Sequence, residues 1–173
     1  IMADLYGMTG KIARVDLTSG TVSVVEPGEE IYRKFLGGSA LGAYYLMKEG
    51  ILDPGVDPLG PDNLWQLMIG PVTGAGANPR SVITCKSPYN NFCATTCGGH
   101  AGAELKFAGW DGIQVTGKAS SPVYISIVDD NIEIRDASHL WGMEVEEAEI
   151  IMKKEVMADI EFREAMIRDA DLT

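Results

Sequence analysis

The strongest constraint on the fold is a period-two alternation of apolar and polar side chains that occurs twice, each time around a tight reversal. Residues 11–26 (KIARVDLTSGTVSVVE) alternate on either side of Thr18-Ser19-Gly20. Residues 112–135 read as strand, turn, strand and hairpin, with Asp129-Asp130-Asn131 at the last reversal. Successive side chains of a strand point to opposite faces, so both stretches predict β-hairpins, each half-buried. Antiparallel strand pairs with helices inserted between them place the chain in the α+β class rather than among doubly wound parallel sheets.

The interior of the chain follows other periods. Residues 29–49 carry apolar side chains at helical spacing (Ile31, Phe35, Leu36, then Leu41, Tyr45, Leu46), interrupted by Gly37, Gly38 and Gly42. Each glycine costs a helix about 1 kcal/mol relative to alanine, so the stretch predicts two short helices meeting at Gly37-Gly38. Residues 50–63, with Pro54, Pro58 and Pro61, form a surface connection. Short buried strands are expected over 64–70 and 81–86, bracketing a glycine loop over 71–80, with a helix around Glu104 to Phe107. Residues 145–156 place Val145, Ala148, Ile151 and Met152 on one helical face, leaving an acidic outer face that reads as solvated. Two hairpins, each followed by helix, suggest a pseudo-duplicated arrangement without a residue-level repeat. The expected organisation is one domain over residues 1–157 and an acidic tail over 158–173.

Composition narrows the function classes. A chain of 173 residues with 46% hydrophobic side chains can build a core without staples. Its net charge of −11 argues against nucleic acid and against an anionic membrane surface as main partner. Residues 129–173 hold 14 acids and 5 bases, whereas between Gly70 and Ala103 there are two cations, Arg80 and Lys86, and no acid. The three cysteines, Cys85, Cys93 and Cys97, are an odd count, which suits a reducing cytoplasm.

That acid-free stretch is where chemistry is expected. Residues 70–112 hold 8 of the 20 glycines, concentrated in GPVTGAGANPR (70–80) and TTCGGHAG (95–102). Glycine loops can turn main-chain N–H groups toward oxyanions, a helix starting beyond Gly99 would add its positive end, and Arg80 can hold a phosphate through two hydrogen bonds. The competing reading is that these glycines only make tight turns, since neither GxxxxGK[ST] nor GxGxxG occurs. Cys93 and Cys97 form a CxxxC with His100 beyond it, but no second pair completes a zinc or iron–sulfur set, so small structural thiols are the simpler reading. With His100 and His139 the only histidines, no Ser-His-Asp or Cys-His-Asp set can be proposed, and the paired carboxylates Glu146-Glu147 and Asp129-Asp130 lie in solvated stretches.

Several long runs go further. KSP at 86–88, GGHAGAELKFAGWDGI at 98–113 and GKASSPVYISIVDDNIEIRDASHLWG at 117–142 resemble the N-terminal domain of the aldehyde ferredoxin oxidoreductase family, tungsten-pterin enzymes of anaerobes. YGMTGKIARVDLTSG (6–20), KFLGG (34–38), DPLGPDN (57–63) and GPVTGAGA (70–77) agree. The resemblance runs from about residue 5 to residue 156, and the segment after Val156 does not resemble the family's continuation.

The resemblance implies a domain forming the base on which a tungsten bis-molybdopterin sits, its phosphates bridged by magnesium. Arg80 matches the arginine that contacts the pterin. Thr96 matches a position usually held by asparagine, whose backbone carbonyl approaches the magnesium, and Gly98 matches a glycine whose main chain contacts the cofactor. Cys97, Gly99 and His100 fall beside them without a role that carries over. Thr96-Cys97 stands where the family more often has asparagine-serine, so side-chain contacts there do not transfer. The [4Fe-4S] cluster is expected in further helical domains or a partner subunit, with ferredoxin as electron acceptor, and homo-oligomers are open. The implied activity is oxidation of aldehydes to carboxylic acids, with this chain inactive alone. The alternatives are a non-catalytic pterin-binding or assembly module, or part of a related tungsten enzyme such as an aromatic acyl-CoA reductase.

Overall fold

A computed structural model describes residues 6–76, 80–89 and 91–170, with side chains as far as Ile160. Two compact units divide the chain, residues 1–120 and 121–173.

The first unit is built on a six-stranded sheet. β1 (Ile12–Asp16) and β2 (Thr21–Val25) form the first expected hairpin, with Ile12 opposite Val25. Two helices follow, α1 (Glu29–Phe35) and α2 (Gly38–Lys48), meeting at the predicted glycines. Then come β3 (Trp65–Ile69), β4 (Ser81–Ser87), β5 (Asn91–Cys97), the short helix α3 (Ala101–Phe107) and β6 (Gly112–Thr116). The order across the sheet is β2-β1-β6-β3-β4-β5.

Two expectations about the sheet need correction. The strands do not come only in antiparallel pairs: β6 lies parallel to β1, with Ile12 beside Gly112, while pairing antiparallel with β3. Side-chain alternation is the same for either direction, so the pattern cannot report it. Residues 95–97 are not loop but the end of β5, an edge strand pairing residue for residue with β4 from Ser87–Asn91 to Ser81–Cys97. From Ala94 to Cys97 every residue is exposed, so an edge like this carries little hydrophobic signature.

The core lies on the side of the sheet that carries α1 and α2. Ile12, Leu41, Leu46, Leu64 and Met68 have no exposed surface there, and each such side chain stabilises the fold by about 1.5–3 kcal/mol. Gly42 lets α2 sit directly on the sheet, because a Cβ at that position would lie 2.2 Å from Thr84 Oγ1. The gap is used by a polar ladder. Gln66 Nε2 donates to the Gly42 carbonyl at 3.0 Å and to Thr84 Oγ1 at 3.2 Å, and Gln114 Nε2 donates to Gln66 Oε1 at 3.0 Å. Arg14 grips Glu49, at the end of α2, through both carboxylate oxygens at 2.7 and 2.6 Å.

The second unit pairs β7 (Val123–Val128) with β8 (Asn131–Asp136) through the predicted reversal, where Asp129 takes the left-handed conformation with φ +52°. His139 lies in a 3-10 turn, Ser138–Leu140, between hairpin and helix. The last helix, α4 (Val145–Ala170), runs well past the predicted end at 156. Its acids are not all solvated: Glu155 accepts hydrogen bonds from Tyr124 Oη at 2.7 Å and contacts His139 Nε2 at 2.8 Å, and Arg135 pairs with Asp159. The two hairpins are not equivalent, since the first joins the six-stranded sheet and the second forms a sheet of its own.

Candidate functional site

The glycine loop and the end of β5 meet at one edge of the first unit. Arg80 immediately precedes β4, and Gly98 immediately follows β5. Because Ser81 pairs with Cys97 across the ladder, the two residues flanking that pair are brought together. The proximity is direct: a Cβ added to Gly98 would lie 3.8 Å from Arg80 Nη1. Gly99 has φ +90°, a left-handed conformation that favours glycine, and nothing lies within 4 Å of the place its Cβ would take. His100 follows as the residue capping α3, with its own carbonyl taken by Glu104 N at 2.9 Å.

Thus Arg80, Thr96, Cys97, Gly98, Gly99 and His100 all lie along one rim, and all are exposed. Ala77 of the first loop lies outside the described residues, as do Asn78 and Pro79. Among the described residues Arg80 has no ion pair, and no group of three or more His, Cys, Asp or Glu side chains is arranged to hold a metal. The expected helix end beyond Gly99 is present, but α3 has only seven residues, fewer than two full turns.

Three residues to which the sequence reading gave no role hold this rim in place. Thr73 is buried and ties the loop to its own ends: its Oγ1 accepts from Gly70 N at 3.2 Å and donates to the Arg80 carbonyl at 3.3 Å. Gly102, at the start of α3, leaves room for this packing: a Cβ there would lie 3.3 Å from Ser81 Cβ, 3.4 Å from Thr73 Cγ2 and 3.5 Å from Ile69 Cγ2. Asp111 anchors the other end of α3. Its fully buried carboxylate pairs with Lys106 Nζ at 2.7 Å and accepts from Tyr32 Oη at 2.8 Å, from Thr9 N at 3.0 Å and from Gly10 N at 2.8 Å. Burial first and the Asp111 charge second push the Tyr32 hydroxyl far above its ordinary value, so it stays a proton donor. A single aspartate between Trp110 and Gly112 carries no periodic or spacing signal, which is why the sequence hides it. An apolar fringe flanks the rim: Leu36, Val72 and Phe107 are each more than three-fifths exposed.

Comparison with known proteins settles the lineage. Residues 12–169 match the family model for the N-terminal domain of aldehyde ferredoxin oxidoreductase. The chain belongs to the aldehyde ferredoxin oxidoreductase family. It is 50% identical over 155 residues to the tungsten-containing aldehyde ferredoxin oxidoreductase of Thermococcus kodakarensis, covering 88% of this chain and 25% of that protein. It is 43% identical over 164 residues to an aliphatic sulfonate oxidoreductase, WOR-like subunit, of Pyrococcus furiosus, covering 94% and 26% of the two. Among solved structures, the active site complex BamBC of benzoyl coenzyme A reductase, determined with 1,5-dienoyl-CoA, superposes with a TM-score of 0.81 at 35% identity, over 87% of this chain and 23% of that one. The chain therefore spans about a quarter of the length of the relatives it matches and corresponds to their N-terminal domain. The family match also extends past Val156 to residue 169, which corrects the expectation that the resemblance ends there.

Proposed function

We propose that this chain forms the cofactor seat of a tungsten bis-molybdopterin oxidoreductase that converts aldehydes to carboxylic acids and passes electrons to ferredoxin. The observation that carries the reading is the juxtaposition of Arg80 with Gly98 on an exposed rim without acidic side chains from Gly70 to Ala103. The rim suits a polyanionic group. Arg80 is exposed with no ion pair among the described residues, and the open space around Gly99 leaves main chain accessible to a phosphate.

When bound, the tungsten bis-pterin supplies the two-electron redox chemistry. The chain's own residues bind and orient. Arg80 would hold a pterin phosphate through its paired guanidinium N–H donors, and the main-chain N–H groups at Gly98 and Gly99 would supply further donors to it. The Thr96 carbonyl would be available to hold a magnesium ion bound with the cofactor's phosphates. Main-chain groups of successive strand residues alternate between partner and free edge, and the Cys97 carbonyl takes the Ser81 hydroxyl at 3.4 Å, so its neighbour Thr96 directs its carbonyl outward. Cys97 and His100 line the same rim. The iron–sulfur cluster belongs to the remainder of the protein or a partner subunit, and the odd cysteine count suits a cytoplasmic setting. Among the described residues no helix is long and apolar enough to cross a membrane.

The likeness to BamBC and to the sulfonate oxidoreductase favours a second reading, in which the same seat serves an acyl-CoA or sulfonate substrate. Elemental analysis and mass spectrometry of the native protein test the proposal. Tungsten with iron in a polypeptide or complex containing this chain is the expected result, and aldehyde against acyl-CoA turnover then separates the two substrate readings. A native protein without tungsten or pterin would overturn the seat.

A further inference from the structure

On the sheet face opposite α2, β4 and β5 bring two cysteines side by side. Cys85 and Cys93 are directly opposed in the antiparallel register, so their side chains emerge on the same face. Opposed residues in such a ladder have Cα atoms about 4.5–5.5 Å apart, inside the span of about 4.4–6.8 Å that a disulfide bridges. Both thiols are partly buried and line a groove of about 430 Å3 together with Trp65, Val115, Leu17 and Leu59. The third cysteine, Cys97, is exposed and lies four residues along β5, about 13 Å from Cys93, opposite Ser81 rather than a thiol.

We propose that Cys85 and Cys93 are a reversible dithiol–disulfide site, closed by a small-molecule disulfide that enters the groove. Cys93, on the edge strand, attacks first: its sulfur bonds one sulfur of the small disulfide and releases the other as a thiol. Cys85 then attacks the Cys93 sulfur, forming the cross-strand bond and releasing the second small thiol. The two cysteines lose two electrons and two protons, and the small disulfide gains them as two thiols. The order suits the surroundings, because burial first and the adjacent Cys93 sulfur second raise the Cys85 thiol above its ordinary value and disfavour it as the initial nucleophile. The bond would staple the edge strand that carries Thr96 and Cys97 to its neighbour, and it stands independently of the cofactor reading.

The test equilibrates the full chain carrying Cys97→Ser with oxidised and reduced glutathione at graded ratios, followed by alkylation and peptide mapping. The expected result is a linked pair of peptides bearing Cys85 and Cys93 that accumulates with oxidised glutathione and disappears on adding a dithiol reductant. With Cys85→Ser added, the intramolecular link is lost and Cys93 keeps one bound glutathione. Both cysteines remaining alkylatable at every ratio, or links forming only between molecules in proportion to concentration, would overturn the proposal.

Discussion

Two charged constellations lie at opposite ends of α3 and are built on contrary principles. Around Asp111 every charge is buried and matched: one carboxylate satisfies a lysine, a tyrosine and two backbone N–H groups from an otherwise irregular segment. Around Arg80 the charge is exposed, without an ion pair among the described residues, and framed by glycines that add no side chain. The first arrangement converts electrostatics into fold. The second leaves them exposed, as the proposed cofactor seat requires, and an exposed rim of this kind contributes little to the stability of the chain that bears it.

Breaking the buried constellation is expected to have the largest effect. Asp111→Ala leaves Lys106, 12% exposed, without its counter-charge and orphans three further donors, at a cost of about 3–5 kcal/mol in denaturant unfolding. Asp111→Asn, which keeps the shape, should cost less. Next comes the contact under α2. Gly42→Ala places a Cβ against the stiff, β-branched Thr84 and should destabilise by about 1–3 kcal/mol, although alanine is the better helix former. Combining it with Thr84→Ala should cost less than the sum of the two, a coupling readable in a double-mutant cycle.

The buried tyrosines sharpen the same contrast through pH. Burial, with Tyr44 second, pushes the Tyr45 hydroxyl from 10.0 up to about 12, and Tyr32 is raised further. Groups whose pKa is raised on folding stabilise below their unfolded value and lose that contribution as pH climbs through the folded one. Stability should therefore be flat with respect to these groups below about pH 10 and fall above it. Tyr32→Phe should flatten that alkaline slope, measured by urea midpoints across the range.

The legible parts of this protein were those with a period. Both hairpins, the α1–α2 break at Gly37-Gly38 and the Asp129-Asp130 reversal follow from alternation and turn chemistry, because half-buried elements write their buried face into the sequence. β5 did not, since an edge with four consecutive exposed residues has no buried face to write. The parallel β1–β6 pairing was equally silent. For the rim, the long motifs with the glycines and Arg80 pointed to two segments, and the fold brings them together: the Ser81–Cys97 pairing joins segments 16 residues apart. Thr73, through two bonds to the ends of its own loop, and Asp111, through bonds to Thr9, Gly10, Tyr32 and Lys106, hold that neighbourhood in place without leaving a periodic pattern in the sequence.

The most direct measurement of the central claim is tungsten and pterin content per polypeptide in the natural full-length protein carrying Arg80→Ala, with its unfolding curve alongside. The account predicts that cofactor content collapses while the unfolding free energy of the cofactor-free protein changes by no more than about 0.5 kcal/mol, as for an exposed side chain outside the core. Full tungsten and pterin in that variant would contradict it and remove Arg80 from the seat.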